Sequence, residues 1–337
     1  MAEPDAPAPS TTTARPRWIK PLIIGGIALA VIAVVLVLML TVFRSGGDRA
    51  KAEGYAEEAA ALLEEEEYED AVAAADLGIE ADPEYAPAYL YRGLAHYRLG
   101  EYDEAAADLT QAVESDPGFT DAYYNRSWVY LELDQNHEAE ADADRVIAAD
   151  PGYTDAYCSR GYANLTLGKI EKALSDFNQA VELDPEHSMA YAGRGSYYLE
   201  QGDLERALAN LNQAIELDPD SPDAYLSRGF SYNMLDRYEE AVEDFNRAIE
   251  FIPDYPDPYI CRGFAYAGLG RYEEALSDLN KAIELGPELA LAYYTRGDVY
   301  LKMGQREQAI ADYRKVLQLD PGYEEARQAL RDLGIQG

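Results

Sequence analysis

The side chains that most often carry out chemistry are few and scattered in this sequence of 337 residues. The two cysteines are Cys158 and Cys261, and the three histidines are His96, His137 and His187. None of the histidines has the spacing to a cysteine or a carboxylate that is typical of a zinc site. The sequence also lacks a glycine-rich phosphate loop, a nucleophile elbow and a paired-histidine zinc motif. We therefore expect no metal, no cofactor and no catalytic residue, and a protein that is not an enzyme.

Arginines and aspartates instead form two matched series. An arginine recurs every 34 residues, and an aspartate follows 16 residues after each one except at Asn210. The arginines are Arg92, Arg126, Arg160, Arg194, Arg228, Arg262 and Arg296, and the aspartates are Asp108, Asp142, Asp176, Asp244, Asp278 and Asp312. Because an acid accompanies nearly every arginine, the pattern favours a ladder of ion pairs over a row of arginines that captures an anionic ligand. Exposed pairs contribute only about 0 to 1 kcal/mol each, but a partly buried ladder would fix geometry.

These series belong to a pattern that repeats every 34 residues along most of the chain. Prolines mark the period at Pro83, Pro117, Pro151, Pro185, Pro219, Pro253, Pro287 and Pro321. Within each unit, apolar and small residues fall at helical spacing in two runs, separated by a turn such as Leu269-Gly270. The glycine supplies the left-handed backbone that ends the first helix, and the proline stops the second. A fixed period of this length predicts a stacked array of helical hairpins.

The unit from Pro256 to Leu289 shows the pattern in full. Its anchors are Tyr259, Arg262, Gly263, Tyr266, Gly270, Tyr272, Ala275, Asp278, Leu279, Ala282 and Pro287. They resemble the tetratricopeptide repeat, with Arg262 where that family prefers leucine. The resemblance implies an all-α superhelical solenoid of about eight helix-turn-helix units over residues 52–323, closed by a capping helix in residues 324–337. We expect Gly263, Ala275 and Ala282 to lie where the two helices approach closely, so that larger side chains would push them apart.

The residues before the repeats indicate a membrane anchor. Residues 1–20 form a tail whose composition predicts disorder, and residues 21–43 are almost wholly apolar, uncharged and long enough for one transmembrane helix. The alternative is a cleaved signal peptide, since Ala50-Lys51-Ala52 has the small-x-small form, but the apolar run exceeds the usual signal core of about 7 to 15 residues. Residues 44–51 are a short linker. Three basic residues on each side leave the orientation undecided by charge, and we favour a single-pass plasma-membrane protein with the repeat domain on the external side.

The family resemblance also implies where a partner would bind. In tetratricopeptide proteins the first helices line a concave groove, and the corresponding positions here are Tyr124, Trp128, Tyr162, Phe230, Phe264 and Tyr294. The lysine-asparagine-arginine clamp by which some members hold acidic peptide tails is absent. An aromatic groove in an acidic surround suits an apolar or basic segment of a protein. The alternative is that the aromatic side chains only pack between helices.

The net charge and the motifs together favour a binding protein. A formal charge of -35 would repel the phosphates of nucleic acid, and no small-molecule site is evident. We expect a membrane-anchored scaffold for protein-protein interaction and complex assembly. One alternative is a chaperone-like or envelope-assembly adaptor that holds client proteins, which would bind unfolded apolar peptides broadly and weakly. An enzyme accessory, or an enzyme with an unrecognised site, has less support, because such a site should contain convergent polar groups of perturbed pKa in a pocket.

Overall fold

The computed structural model describes residues 48–335, and in that range the chain forms α-helices joined by short loops and no β-strand. Helix α1 covers residues 48–64. The helices that follow are α2 (Tyr68–Ala81), α3 (Ala86–Arg98), α4 (Tyr102–Ser115), α5 (Thr120–Glu132), α6 (Asn136–Ala149), α7 (Thr154–Thr166), α8 (Ile170–Leu183), α9 (Ser188–Glu200), α10 (Leu204–Leu217), α11 (Pro222–Met234), α12 (Tyr238–Phe251), α13 (Asp257–Gly268), α14 (Tyr272–Leu285), α15 (Ala290–Lys302), α16 (Arg306–Leu319) and α17 (Glu324–Asp332). The described part of the chain is therefore all-α, as the repeat pattern predicts.

The predicted tail and transmembrane helix, residues 1–20 and 21–43, lie outside the described residues. Between residues 48 and 335, none of the helices combines the length and the apolar character that crossing a bilayer requires. The predicted linker differs from the structure at its end, because residues 48–51 belong to α1. The residues that follow Gly47 are mostly strong helix formers such as alanine, lysine and glutamate, so the helix begins before the first repeat does.

Each hairpin turns at a residue with left-handed backbone. Five of these residues are glycines with φ between 68° and 77°, namely Gly100, Gly168, Gly202, Gly270 and Gly304. Glu66, Asp134 and Asp236 occupy the same position in the other three hairpins, with φ of 62°, 56° and 56°. A Cβ atom makes this conformation unfavourable, so these three turns carry a cost that the glycine turns avoid.

Side chains also fix the loops between hairpins. The second helix of most hairpins ends before an Asp-Pro step, where the aspartate accepts a hydrogen bond from the backbone two residues later. Asp150 Oδ1 accepts from the Gly152 N–H at 2.8 Å. The hydroxyl of Tyr157 in the next helix donates to the carbonyl of Pro151 at 3.2 Å. These bonds satisfy backbone groups at the helix ends and hold this loop against the following helix.

The chain divides into two compact units, residues 1–117 and 118–337. The described part of the first unit contains α1 to α4, and one of its buried clusters joins Ala59, Ala74 and Ala75 with Leu62 and Tyr91. The second unit contains α5 to α17, in which consecutive helices pack on one another. Helix α17 places Ala326 and Leu330 against Tyr313 and Val316 of α16. It thus covers apolar surface of the last hairpin, which is the role of a terminal cap.

Small residues make the close contacts within the hairpins. A Cβ atom on Gly263 would lie 2.9 Å from Cγ of Leu279, and both Ala275 and Ala282 are fully buried. This confirms the predicted close approach of α13 and α14. Across hairpins, a Cβ atom on Gly193 would lie 2.2 Å from a ring carbon of Phe177, which is itself fully buried. The absence of a side chain at these glycines therefore makes room for a large core residue.

The predicted ladder of ion pairs is confirmed, and it extends further than the sequence indicated. Arg262 donates two hydrogen bonds to Asp278, from Nε at 2.7 Å and from Nη2 at 2.8 Å. Its Nη1 donates to Oδ1 of Asn246 at 2.6 Å. Asp278 lies on the second helix of the same hairpin, whereas Asn246 lies on the second helix of the preceding one. One guanidinium therefore joins two helices and two consecutive hairpins.

The same three-way arrangement recurs along the chain. It is formed by Arg92, Arg160, Arg228 and Arg296, each with residues 16 positions before and after it. At Arg194 both acceptors are amides, Asn210 at 2.7 Å and Asn178 at 3.0 Å. The hydrogen-bonding geometry thus persists at this position without the ion pair.

Candidate functional site

The six aromatic residues predicted to line a groove all lie on first helices of hairpins in the second unit. Tyr124 and Trp128 are on α5, Tyr162 is on α7, Phe230 is on α11, Phe264 is on α13 and Tyr294 is on α15. They occupy two repeat positions, each recurring at multiples of 34 residues. One position is that of Tyr124 and Tyr294, and the other is that of Trp128, Tyr162, Phe230 and Phe264. Their surroundings differ: Phe230 and Phe264 are exposed, although Phe264 also meets the ring of Tyr238 at 6.3 Å, whereas the other four are more buried and pack on neighbouring rings.

Phe230 and Phe264 are the exposed pair, and they line one cavity. Their exposed fractions are 45% and 49%. Met234 and Leu291, each 51% exposed, line the same cavity, which has a volume of about 240 Å³. Large apolar side chains that are exposed singly are common, but a contiguous exposed group such as this one often marks an interaction site. The cavity is therefore the strongest candidate for a binding site.

A second cavity of about 340 Å³ adjoins the first and shares Phe230, Ile260, Cys261 and Leu291 with it. Its remaining lining residues are Leu199, Leu226, Ser227 and Asp257. We refer to the two cavities together as the apolar groove. It extends from the end of α9 across α11 and α13 to α15, and its surface is mostly aliphatic and aromatic.

Two residues that the sequence analysis missed complete this groove. Leu291 occupies the repeat position of Asp223 and Asp257, and Met234 occupies that of Gly268. Each is an apolar departure from the residue type in neighbouring repeats. That departure was a usable signal, because a large apolar residue at a position where the neighbouring repeats are polar or small is not needed for the common fold.

The other predicted aromatic residues pack on neighbouring rings. Trp128 and Tyr162 have ring centroids 5.8 Å apart, and Tyr162 meets the buried ring of Phe177 at 5.2 Å. Burial raises the pKa of Tyr162 far above its ordinary value. Tyr124 lies 5.2 Å from Tyr153.

Tyr294 contacts Tyr313 at 5.7 Å and Tyr323 at 5.2 Å. None of these four predicted residues, Tyr124, Trp128, Tyr162 or Tyr294, lines the apolar groove. Packing between helices, the alternative left open by the sequence, accounts for the contacts that they make.

Carboxylates border the apolar groove. Asp257 lines the larger cavity, and Asp223 lies at the same position one repeat earlier. Asp223 is open to water, but the protein around it displaces enough solvent to raise the pKa of its carboxyl above the ordinary value. Burial likewise raises the pKa of Asp257, and a hydrogen bond from Tyr255 only partly opposes this.

The same carboxylates act on the adjacent phenol. The pKa of Tyr255 is raised to about 12, first by burial and then by the negative charges of Asp257, Glu132 and Asp223. Negative charge is therefore crowded at this border, where a positively charged group would be stabilised.

A cysteine, a histidine and an aspartate come together elsewhere in the second unit, which their spacing in the sequence did not indicate. Sγ of Cys158 lies 4.0 Å from Nδ1 of His187, and Nε2 of His187 lies 2.8 Å from Oδ1 of Asp155. Cys158 is fully buried, and burial raises the pKa of its thiol well above the ordinary value. The thiol is thus held neutral and shielded from substrate, so this group is a packing contact rather than an activated nucleophile. Among residues 48–335, His, Cys, Asp and Glu side chains form no group arranged to hold a metal ion.

Comparison with known proteins identifies the repeats. The family model described as TPR repeat matches residues 195–236, 232–270 and 268–304. Models described as tetratricopeptide repeat match residues 86–119, 109–141, 154–187, 177–209 and 290–323. No curated protein matches the chain.

Solved structures support the same fold. The chain is similar to one in the APC/C hetero-tetramer Cut9–Hcn1, with a TM-score of 0.67 and 19% identity, covering 79% of this chain and about half, 52%, of that one. It is also similar to a tetratricopeptide repeat protein from Parabacteroides merdae, with a TM-score of 0.52 and 22% identity over 73% of this chain and 98% of that one. For TTC0263 from Thermus thermophilus the TM-score is 0.50 and the identity 25%, over 54% of this chain and 99% of that one. The family matches, the hairpin repeats and these similarities together show that the chain belongs to the tetratricopeptide repeat family.

Proposed function

We propose that this protein is a non-catalytic scaffold that captures a segment of a partner protein in the apolar groove. The segment would place an apolar side chain in the cavity between Phe230 and Phe264 and a basic residue towards Asp223 and Asp257. The observation that carries the proposal is the exposed apolar cavity bordered by carboxylates. Membership of the tetratricopeptide repeat family supports a function as a scaffold. The partner has to be inferred from the groove itself, because one fold serves many functions.

The physical driving force would come from both parts of the groove. Removing apolar surface from water stabilises a complex by about 25 cal/mol per Å². Phe230, Met234, Phe264 and Leu291 are each at least 45% exposed and so have surface to bury. The carboxylates add selectivity, because a basic residue would relieve crowded negative charge and an acidic residue would increase it.

Selectivity can be tested with three fluorescent peptides that share a central leucine flanked by lysine, by serine or by glutamate. We expect the full-length protein to bind the lysine-flanked peptide at least tenfold more tightly than the glutamate-flanked one, as measured by fluorescence anisotropy. Leu291→Asp should weaken this binding about tenfold or more, since it places a charge in the cavity. The fold should tolerate this change, because neighbouring repeats have Asp223 and Asp257 at the same position.

Leu183→Asp is the matched control. Leu183 is also an exposed leucine, at 38%, but it is not part of the apolar groove. Its replacement should leave peptide affinity unchanged. Equal affinity for all three peptides, unaltered by Leu291→Asp, would overturn the proposal and would favour a holdase that binds unfolded apolar segments without selection.

Membrane anchoring forms the second part of the proposal. The uncharged apolar run at residues 21–43 supports a single transmembrane helix, with the repeats outside the plasma membrane. A cysteine introduced by Lys281→Cys, at a side chain that is 40% exposed, would report the side of the membrane. Labelling of intact cells by an impermeant maleimide is expected. Labelling that appears only after lysis, while a known external protein is labelled throughout, would reverse the orientation.

A further inference from the structure

Most first helices of the second unit have a tyrosine four residues, or about one helical turn, after the arginine that forms the ion-pair ladder. These tyrosines are Tyr130, Tyr198, Tyr232, Tyr266 and Tyr300. The ring of Tyr266 lies between two guanidinium groups, 5.8 Å from Arg262 and 4.4 Å from Arg271. It also packs against the cluster formed by Val242 and Phe245 of the preceding hairpin. The regular structure thus includes a slot for one aromatic ring in contact with cations.

Helix α7 departs from this rule, because Asn164 occupies the position of the tyrosine. Its side chain is 1% exposed, and Nδ2 donates to Oδ2 of Asp176 at 3.0 Å. An asparagine is much shorter than a tyrosine. A cavity of about 260 Å³ lies beside it, lined by Glu140, Asp144, Arg160, Asn164, Lys172, Ser175 and Asp176.

The position of this cavity matches the place of the ring in the α13 hairpin. Shifted by three repeats, Arg160 corresponds to Arg262, and Glu140 corresponds to Val242. Arg262 lies 5.8 Å from the Tyr266 ring, and Val242 belongs to the buried cluster against which that ring packs. The cavity at Asn164, which we call the open slot, is therefore a tyrosine site without its tyrosine.

The arginine in the wall of the open slot has the same hydrogen-bonding arrangement as Arg262 beside Tyr266. Arg160 donates to Asp176 at 2.6 and 3.1 Å and to Asp144 at 2.6 Å, so its guanidinium is fixed as in other repeats. The position of Arg271 is taken by Lys169, which forms an ion pair with Glu140. A ring entering the slot would thus meet the guanidinium of Arg160, which is already held in place, and this lowers the entropic cost of binding.

We propose that the open slot binds an aromatic side chain of a partner segment, most favourably a tyrosine. The ring would lie against Arg160 as Tyr266 lies against Arg262. An anion is the weaker fit, because Asp144 and Asp176 already pair with Arg160, and Glu140 pairs with Lys172. The slot shares no lining residue with the apolar groove, so this site is additional to the one proposed above.

The side-chain analogue p-cresol tests the slot, with 4-methylcyclohexanol as a control of similar shape that lacks the aromatic face. We would measure their affinities for the full-length protein by saturation-transfer NMR. We expect saturable binding of p-cresol that is at least fivefold tighter than that of 4-methylcyclohexanol. Asn164→Tyr should abolish it, because the introduced ring fills the slot from within. Asn164→Ala, which leaves the slot open, should retain it.

Two further variants keep the result interpretable. Phe264→Ala removes a wall of the apolar groove and should not change slot binding. Asn164→His offers a second way to fill the slot, since His96 occupies the equivalent position in α3. It should also reduce binding, and circular dichroism would show that each variant is folded. Undiminished p-cresol binding by folded Asn164→Tyr and Asn164→His, loss of binding in Phe264→Ala alone, or equal binding of the two probes would overturn the proposal.

Discussion

Arg228 and Asp244 are joined by two nearly parallel hydrogen bonds, from Nε at 2.8 Å and from Nη2 at 2.7 Å. Asp244 is almost fully buried, with 4% of its surface exposed, and burial raises its pKa in spite of the arginine. Each partner therefore compensates the desolvation of the other. Such a pair specifies how α11 meets α12, although it need not add much net stability.

We expect the free energies lost in Arg228→Ala and Asp244→Ala to be strongly non-additive. Removing one partner leaves the other without its charge partner and should cost about 3 kcal/mol. The double variant should cost about 1 to 3 kcal/mol less than the sum of the two single variants. Urea unfolding followed by circular dichroism would measure this, and strict additivity would show that the two side chains are not coupled.

Close packing in the first unit predicts a pair of valine substitutions with different outcomes. A Cβ atom on Gly93 would lie 2.9 Å from Cγ of the fully buried Leu109, whereas one on Gly54 would have no neighbour within 4 Å. Gly93→Val should therefore lower the free energy of unfolding by about 1 to 3 kcal/mol. Gly54→Val should change it by no more than about 0.5 kcal/mol. Equal effects in a denaturant titration would mean that α3 and α4 can separate without cost.

The left-handed turn residue Asp134 predicts a stabilising change. Its φ of 56° is unfavourable for a side chain that has a Cβ atom, and glycine occupies this position in five other hairpins. Asp134→Gly should raise the free energy of unfolding by about 1 kcal/mol. Gly270→Ala is the reverse exchange and should lower it by a similar amount. A loss of stability in Asp134→Gly would show that the carboxylate has a compensating role.

The pairing of His187 with Asp155 predicts a pH dependence of stability. The hydrogen bond that His187 donates to the carboxylate of Asp155 raises the pKa of His187 above its ordinary value, against the opposing effect of burial. The stabilisation is therefore complete below the unfolded-state pKa of about 6.5 and is lost as pH rises through the folded-state pKa. The destabilisation caused by His187→Gln should be larger at acidic than at alkaline pH. His137→Gln, at an exposed histidine, is the control, and a pH-independent difference for His187→Gln would refute the linkage.

Replacing different aromatic residues of the predicted groove should affect different properties, peptide affinity in one case and stability in the other. Phe264 is 49% exposed and lines the cavity, so Phe264→Ala should weaken peptide binding about tenfold and cost less than about 1 kcal/mol of stability. Trp128 packs against the ring of Tyr162, so Trp128→Ala should cost about 1 to 3 kcal/mol of stability. Anisotropy and urea unfolding on the same samples would distinguish the two effects. The reverse pattern would move the binding site to α5 and α7.

The sequence determined the local structure, because the same helix and turn signals recur in each 34-residue unit. Leu269-Gly270 marks the turn between α13 and α14, and the 16-residue step from Arg262 to Asp278 indicated the ladder before any contact was seen. These are regularities within one unit or between neighbours, and a fixed period exposes them. The aromatic positions of the groove were implied by the resemblance to the tetratricopeptide family, not by the period itself.

Only the tertiary structure decided which of those aromatic residues are open and what surrounds them. Phe230 and Trp128 occupy the same repeat position, yet Phe230 lines a cavity and Trp128 packs against the ring of Tyr162. The difference arises from neighbours such as Met234 and Leu291, which break the period and belong to different hairpins. The exposure of a side chain depends on which side chains from several hairpins surround it in space. The repeat pattern of a single hairpin does not contain that information.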